Sequence, residues 1–155
     1  MADIPPKERW FDDFRVGERF EFGDYLVTAD EIVEFAQRYD PQPFHLDGEA
    51  ASRSHFGGLI ASGWMSCAVL MRLVCEHFIP PASAMGSPGI DELRWLQPVR
   101  PGDRLRAAVE VMAVKASQSK PDRGVITAQQ ALINQHGESV LTLIGRGMYR
   151  RRRAG

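Results

Sequence analysis

The chain has 155 residues, of which 44% are hydrophobic and 25% charged, as is typical of one globular domain. Nineteen basic and twenty acidic side chains give a net charge of −1, which argues against nucleic acid as a partner. Residues 1–50 contain thirteen acids and five bases, whereas residues 51–155 contain seven acids and fourteen bases. The basic part could attract an anionic ligand such as a phosphate-bearing cofactor, or the two parts could complement each other within one fold or dimer.

The sequence predicts a soluble, cytoplasmic protein. Residues 1–10 have no apolar run, so they do not resemble a secretory signal peptide. The most apolar stretch is interrupted by Ser62, Ser66 and Arg72, and is not expected to span a membrane. Cys67 and Cys75 lie about 12 Å apart along a predicted helix, too far for a disulfide. We expect both cysteines to be buried and reduced.

The first part of the chain predicts one strand followed by a helix. An aromatic-rich segment precedes the strand, which is expected at about residues 19–27. Thr28 and Glu31 match the capping-box pattern of a helix start, and apolar residues continue at helical spacing to residue 39. The helix is expected to end before two prolines. Asp40 therefore lies at its C-terminal edge, and the prolines stiffen a loop that also carries His45.

A second, more apolar helix is predicted further along the chain. A short helix at residues 47–54 and a glycine turn lead to a helix over residues 64–78, capped by Ser62 and with Gly63 in its first turn. Few polar side chains interrupt this helix, so it is apolar on most faces. Such a helix is expected to be wrapped by something larger than another helix, such as a curved sheet.

Four strand-like runs follow, at residues 90–97, 104–114, 124–134 and 139–149. Residues 136–137 are predicted to form the hairpin turn between the last two runs. Helices followed by a run of antiparallel strands indicate an α+β fold. We expect one domain over residues 1–155, with its core at about residues 10–149 and a basic, solvated tail at residues 150–155.

Asp40 and His45 form the first candidate site. A carboxylate and an imidazole held on one rigid loop can jointly hold a water, one taking its proton while the other donates to a substrate. Histidine suits this because its ordinary pKa lies close to working pH. An aspartate near an apolar helix is expected to have its pKa raised toward the same range. Taken alone the spacing is a weak signal, because Asp-Pro is an ordinary turn at a helix end.

Ser62 and Gly63 form the second candidate site. A glycine in the first turn of a buried helix leaves a backbone N–H unobstructed, and the helix dipole reinforces that group. It could stabilise the oxyanion that develops on a thioester carbonyl. The alternative is a simple helix cap, with a small residue where two elements pack closely.

No metal-binding pattern is visible in the sequence. The four histidines are scattered without ligand spacing, and neither His-Glu-x-x-His nor Cys-x-x-Cys occurs. Ser62 lies in Ala-Ser-Gly-Trp-Met, which does not match the Gly-x-Ser-x-Gly nucleophile elbow. The sequence therefore predicts neither a metal centre nor a serine hydrolase of that kind.

Three blocks in combination carry a resemblance. They are Asp40-Pro-Gln-Pro-Phe-His45-Leu-Asp47, Phe56-Gly-Gly-Leu-Ile-Ala-Ser-Gly63 and Leu93-Arg-Trp-Leu-Gln-Pro-Val-Arg-Pro-Gly-Asp103. Their order and separation resemble the MaoC-like (R)-specific enoyl-CoA hydratase family of the hot-dog fold, over about residues 10–149. The resemblance implies an antiparallel sheet wrapped around a long central helix. It also implies a homodimer or higher homo-oligomer paired through its sheets, with the site at the interface.

The resemblance further implies reversible hydration of a 2-enoyl thioester to a 3-hydroxyacyl thioester. Asp40 and His45 match the family's acid–base pair, and Gly63 matches its oxyanion donor, with Ser62 beside it. Trp64 and Met65 are candidates for the border of the acyl pocket. No metal or redox cofactor is implied, since CoA or acyl carrier protein is part of the substrate.

The chain departs from the family pattern at three positions. Gln42 replaces the usual Asn, Ser62 replaces a His, and Met71 lies near a position where some members have a serine that supports the Asp. Two alternatives therefore stay open. One is a hot-dog thioesterase, and the other is a non-catalytic acyl-CoA-binding subunit in which Asp40 and His45 are dispensable.

Overall fold

Residues 3–152 are described by a computed structural model, and five antiparallel strands dominate it. They are β1 (Arg19–Leu26), β2 (Gly89–Trp95), β3 (Arg104–Ala116), β4 (Arg123–Ile133) and β5 (Ser139–Arg150). They form one sheet in the order β1-β3-β4-β5-β2. Each predicted strand is confirmed to within two residues at either end.

Four α-helices accompany the sheet: α1 (Ala29–Tyr39), α2 (Pro43–Leu46), α3 (Gly48–Ser52) and α4 (Gly63–His77). Two 3₁₀ turns, Pro6–Glu8 and Phe11–Asp13, precede β1. The sequence predicted α1, α3 and α4 but assigned α2 to a loop. Pro43 occupies the first turn of α2, where a fixed φ and a missing N–H are tolerated, so this proline starts a helical turn.

The core lies between α4 and the sheet. One side of α4 buries Met65, Val69, Leu70, Leu73 and Val74 against β1, β3 and β4. Burial of each such side chain contributes roughly 1.5–3 kcal/mol. The core therefore fixes the position of α4, and with it the position of the residues at the N-terminus of this helix.

The expectation that α4 is enclosed on most faces is not confirmed. Trp64 and Met71 of α4 are 58% and 53% exposed. The reason is geometric, because the curved sheet covers only one side of a 15-residue helix. Cys67 and Cys75 are both free thiols, as predicted, but Cys67 is half-buried and Cys75 is exposed.

Acidic residues of the first part of the chain pair with basic residues of the second part. Four such ion pairs are Arg104–Asp24, Arg106–Glu21, Arg151–Asp12 and Arg152–Asp13. These pairs show that acidic residues of the first part and basic residues of the second part complement each other within the fold. Arg151 and Arg152, at the start of the predicted basic tail, thus each form an ion pair with an aspartate near the N-terminus. Residues 153–155 lie outside the described residues.

Across residues 3–152, every helix is too short or too polar to span a bilayer.

Candidate active site

Helix α1 delivers Asp40 to the site. Thr28 caps the helix by accepting a hydrogen bond from the Glu31 backbone N–H at 3.2 Å. The Glu31 carboxylate accepts from the Tyr25 hydroxyl, so the predicted capping box is formed only in its Thr28 half. Asp40 follows the last helical residue, with φ −154° and ψ 68°, because the proline after it disfavours helical backbone. The chain turns there and the Asp40 side chain points into a cavity.

Helix α2 delivers His45, whose side chain is buried. Its Nδ1 lies 2.7 Å from the Ile60 carbonyl oxygen. Because a carbonyl only accepts, Nδ1 carries a proton and donates it. The other ring nitrogen, Nε2, then faces Asp40 Oδ2 at 3.3 Å. The structure thus brings together the acid and the imidazole that the sequence singled out.

The Asp40 carboxylate accepts two further hydrogen bonds. Gln42 Nε2 donates to Oδ1 at 2.6 Å and Ser62 Oγ donates to Oδ2 at 2.7 Å. Burial by itself would raise the pKa of Asp40, but these two bonds and the charge of His45 outweigh it and hold the pKa below its ordinary value. The expectation of a raised pKa is therefore wrong. The sequence shows a carboxylate near an apolar helix, but not the two donors that reach it.

This geometry makes the pair suitable for proton transfer. Asp40 is ionised near neutral pH, and His45 Nε2 faces it while Nδ1 stays fixed on the Ile60 carbonyl. A water beside both Oδ2 and Nε2 could give a proton to one group while it is hydrogen-bonded to the other. The arrangement can therefore act as a general acid–base pair.

Gly63 begins α4 in the same cavity. Ser62 caps the helix by accepting from the Trp64 N–H at 3.2 Å, and among residues 3–152 the Gly63 N–H has no hydrogen-bond partner. A Cβ on Gly63 would lie 2.5 Å from the Trp95 indole. Trp95 Nε1 in turn donates to the Gly63 carbonyl at 2.9 Å. Close packing therefore explains why residue 63 is glycine, and it leaves the N–H available.

Asp40, His45 and Gly63 line one cavity of about 460 Å³. Its walls are mainly apolar and aromatic, formed by Phe44, Phe56, Ile60, Trp64, Trp95 and Leu96. The predicted border residue Trp64 is among them. Met65 is buried in the core and lies outside this lining, and the Ser62 side chain is fully buried behind it. The structure thus places Ser62 against Asp40, not against a substrate.

Sequence reasoning did not assign Trp95 or Gln42 to the site. Trp95 lies in one of the three family blocks, but the sequence assigns it no role. Its partner is the Gly63 carbonyl, which is 32 residues away in the chain. The register of β2 shifts just before it, between Asp91 and Arg94, and Glu92 has φ 52°. Such a bulge redirects the residues that follow. For Gln42, only its position two residues after Asp40 in the chain could have indicated the hydrogen bond to the Asp40 carboxylate.

A second cavity of about 520 Å³ lies between α4 and strands β4 and β5. On the helix it is lined by Cys67, Met71 and Val74, and on the sheet by Leu143 and Tyr149 among others. Nearly all of its surface is apolar. The consecutive residues Ser66 and Cys67 of α4 line the first and the second cavity respectively.

A five-stranded antiparallel sheet packed on one long helix, with an aspartate and a histidine facing each other near the N-terminus of that helix, is the architecture of a hot-dog protein. The family model "MaoC like domain" matches residues 13–131. The chain belongs to the MaoC-like dehydratase family, as its three sequence blocks predicted.

Known relatives agree with this assignment. The crystal structure of the MaoC-like dehydratase from Rhodospirillum rubrum is 42% identical, with a TM-score of 0.87 over 94% of this chain and 99% of that one. The chain is 31% identical to mesaconyl-CoA hydratase of Cereibacter sphaeroides, over 93% of this chain but 42% of the relative. It is also 31% identical to 3-hydroxyacyl-thioester dehydratase Z of Mycobacterium tuberculosis, over 64% of this chain and 68% of the relative.

Proposed function

We propose that the protein catalyses reversible hydration of a 2-enoyl thioester to a 3-hydroxyacyl thioester. The observation that carries the proposal is that the candidate acid–base pair and the candidate oxyanion donor line the same cavity. Asp40 Oδ2 and His45 Nε2 lie 3.3 Å apart in it, and the free N–H of Gly63 lines the same space. The names of the two relatives, a hydratase and a dehydratase, support the same reaction class.

Gly63 would act on the thioester carbonyl. Its N–H, at the positive end of the α4 dipole, would accept the developing negative charge on the carbonyl oxygen as an enolate forms. Withdrawal of electrons toward that oxygen makes C3 of the enoyl group electrophilic. A single oxyanion donor of this kind is worth roughly a hundred- to a thousand-fold in rate.

Asp40 and His45 would handle the protons. Asp40, which its hydrogen-bond donors keep ionised, would take a proton from water, whose oxygen then bonds to C3. His45, protonated on both nitrogens, would give its Nε2 proton to C2, which completes the addition of one water. Return of the proton from Asp40 to His45 across their contact would restore the pair. Dehydration follows the same steps in reverse.

The substrate would bring its own carrier, either CoA or acyl carrier protein. The steps above require no metal or redox cofactor, because every proton and electron pair moves between water, the thioester and these side chains. We assign the thioester to the first cavity, which Trp64 lines, and the acyl chain to the apolar second cavity. The second cavity is lined by Cys67, the residue of α4 next to Ser66 of the first cavity, and this closeness supports the assignment of the acyl chain.

We also propose that the protein is a homodimer or higher homo-oligomer of the cytoplasm. Strand β2 is an edge of the sheet, and exposed apolar side chains cluster on and near it, namely Ile90, Trp95 and Leu96. An exposed edge with apolar side chains is a common site of self-association. Sedimentation velocity would test this, since a monomer at micromolar concentration contradicts it.

The test of the reaction is loss of the enoyl-thioester absorbance with crotonyl-CoA and longer enoyl-CoAs. We expect turnover by the natural protein and its collapse in both Asp40→Asn and His45→Gln, with circular dichroism unchanged. Activity indifferent to both substitutions would contradict the proposal. Release of free thiol without hydration would identify a thioesterase, and binding without turnover a non-catalytic subunit.

A further inference from the structure

The hydroxyl of Ser62 has two partners at once. It donates to Asp40 Oδ2 at 2.7 Å and accepts from the Trp64 N–H at 3.2 Å. Since the backbone N–H can only donate, its bond leaves the single hydroxyl proton of Ser62 free for Asp40. The side chain is fully buried, so water does not compete for either bond. The Ser62 hydroxyl therefore both caps α4 and supports the Asp40 carboxylate.

We propose that Ser62 is a positioning residue of the reaction, which couples the Asp40 carboxylate to the oxyanion donor at Gly63. The proposal rests on the proposed function. Ser62 and Gly63 are consecutive, so the separation between the base and the oxyanion donor is fixed within one dipeptide at the start of α4.

The two neutral donors to Asp40 are not equivalent. Gln42 is exposed, so water can replace its bond, whereas the bond from Ser62 is shielded. His45 on α2 is the only titratable side chain among residues 3–152 that contacts Asp40. Loss of the Ser62 hydroxyl should thus raise the pKa of Asp40 and leave the carboxylate free to rotate.

The experiment compares Ser62→Gly with the natural protein in enoyl-CoA hydration. Glycine is tolerated at a helix N-cap, so this variant keeps the helix start and loses the bond to Asp40. We expect kcat to fall about ten- to a hundred-fold with KM changed less than about threefold, and the acidic limb of the kcat/KM profile to move up by about one pH unit. Ser62→Thr, which keeps a hydroxyl, should recover most of kcat.

Thr28→Ala is the matched control, because it removes the cap of α1 and leaves Asp40 its partners. Its melting temperature should fall by a few degrees without a shift of the pH profile. An unchanged profile in folded Ser62→Gly, or the same shift in Thr28→Ala, overturns the positioning role. If the natural protein hydrates no enoyl thioester, the proposed function fails, and carboxyl-carbon NMR titration of Asp40 decides the role: an unchanged pKa in Ser62→Gly overturns it.

Discussion

The two halves of α4 border different kinds of space. Its first turn, from Gly63, meets Asp40 and His45 where each polar side chain has a specific partner. Its later turns, from Cys67 to Val74, border a cavity that is almost entirely apolar. Only the N-terminus of a helix offers unpaired backbone N–H groups, so the chemistry gathers there. The side of the helix presents only side chains, which suits it to selecting the acyl group.

The largest expected effect is the difference in kcat between a substitution at the N-terminal half of α4 and one at its apolar half. Asp40→Asn should lower kcat by roughly a hundred- to ten-thousand-fold, because it removes the proton acceptor and keeps the size of the side chain. Met71→Ala, in the other half, should retain kcat on crotonyl-CoA within about threefold. Steady-state kinetics on both variants checks this. A loss in Met71→Ala as large as that in Asp40→Asn would show that the division is wrong.

The second prediction concerns the oxyanion donor. Gly63→Ala places a Cβ against the Trp95 indole and displaces either that ring or the start of α4, so kcat/KM should fall about ten- to a hundred-fold. Adding Trp95→Ala removes the clash while the N–H of residue 63 remains. The double variant should therefore recover part of the loss. A double variant no better than Gly63→Ala alone would contradict the packing account of this glycine.

The third prediction concerns the apolar half. Met71→Phe should narrow the second cavity and reduce kcat/KM for long enoyl-CoAs relative to crotonyl-CoA by about tenfold. Arg72→Lys is the control, since Arg72 pairs with Glu76 on the outer surface of α4. Equal losses on short and long substrates in Met71→Phe would place the acyl chain elsewhere.

The two thiols offer a smaller contrast. Burial raises the pKa of Cys67, and Cys75 is exposed. Cys75 should therefore react several-fold faster with a thiol reagent at pH 8. A long acyl-CoA should slow Cys67, which lines the second cavity. Stopped-flow traces of Cys67→Ala and Cys75→Ala assign the phases, and reversed rates would show that the cavity is more open than the structure indicates.

The smallest effect is on stability. Because the pKa of Asp40 is lower in the folded protein than in the unfolded chain, its carboxylate stabilises the fold above the unfolded pKa of about 4, and this is lost as pH falls through the folded value. The natural protein should be more stable than Asp40→Asn at pH 6, with the difference shrinking below about pH 4. Urea unfolding measures it, and a difference that grows on acidification contradicts the lowered pKa.

Much of the fold could be read from local patterns in the sequence. The alternation in β3 and β4, the Thr28 and Ser62 caps and the turn at residues 136–137 each depend on near neighbours in the chain. The short helix α2 was missed because its one proline, Pro43, is compatible with both a loop and a helical start. The exposure of one side of α4 was missed because hydrophobicity does not show how far a sheet extends.

The sequence predicted residues of the candidate site but not the hydrogen bonds between them. Asp40, His45 and Gly63 were found from three blocks, while the role of Ser62 depends on a contact 22 residues away in the chain. Together with the Gln42 hydrogen bond and the charge of His45, that contact also reverses the expected direction of the pKa shift of Asp40. Trp95 was missed for the same reason, since its bond to Gly63 exists only once β2 lies beside α4.

The most direct test of the central claim is to follow the oxygen. The protein is incubated with a 2-enoyl-CoA in heavy-oxygen water, and the products are analysed by mass spectrometry and NMR. The account predicts an intact thioester with the labelled oxygen on C3, formed by the natural protein and not by Asp40→Asn. Label in a free carboxylate with release of CoA, or no label in any product, would contradict it.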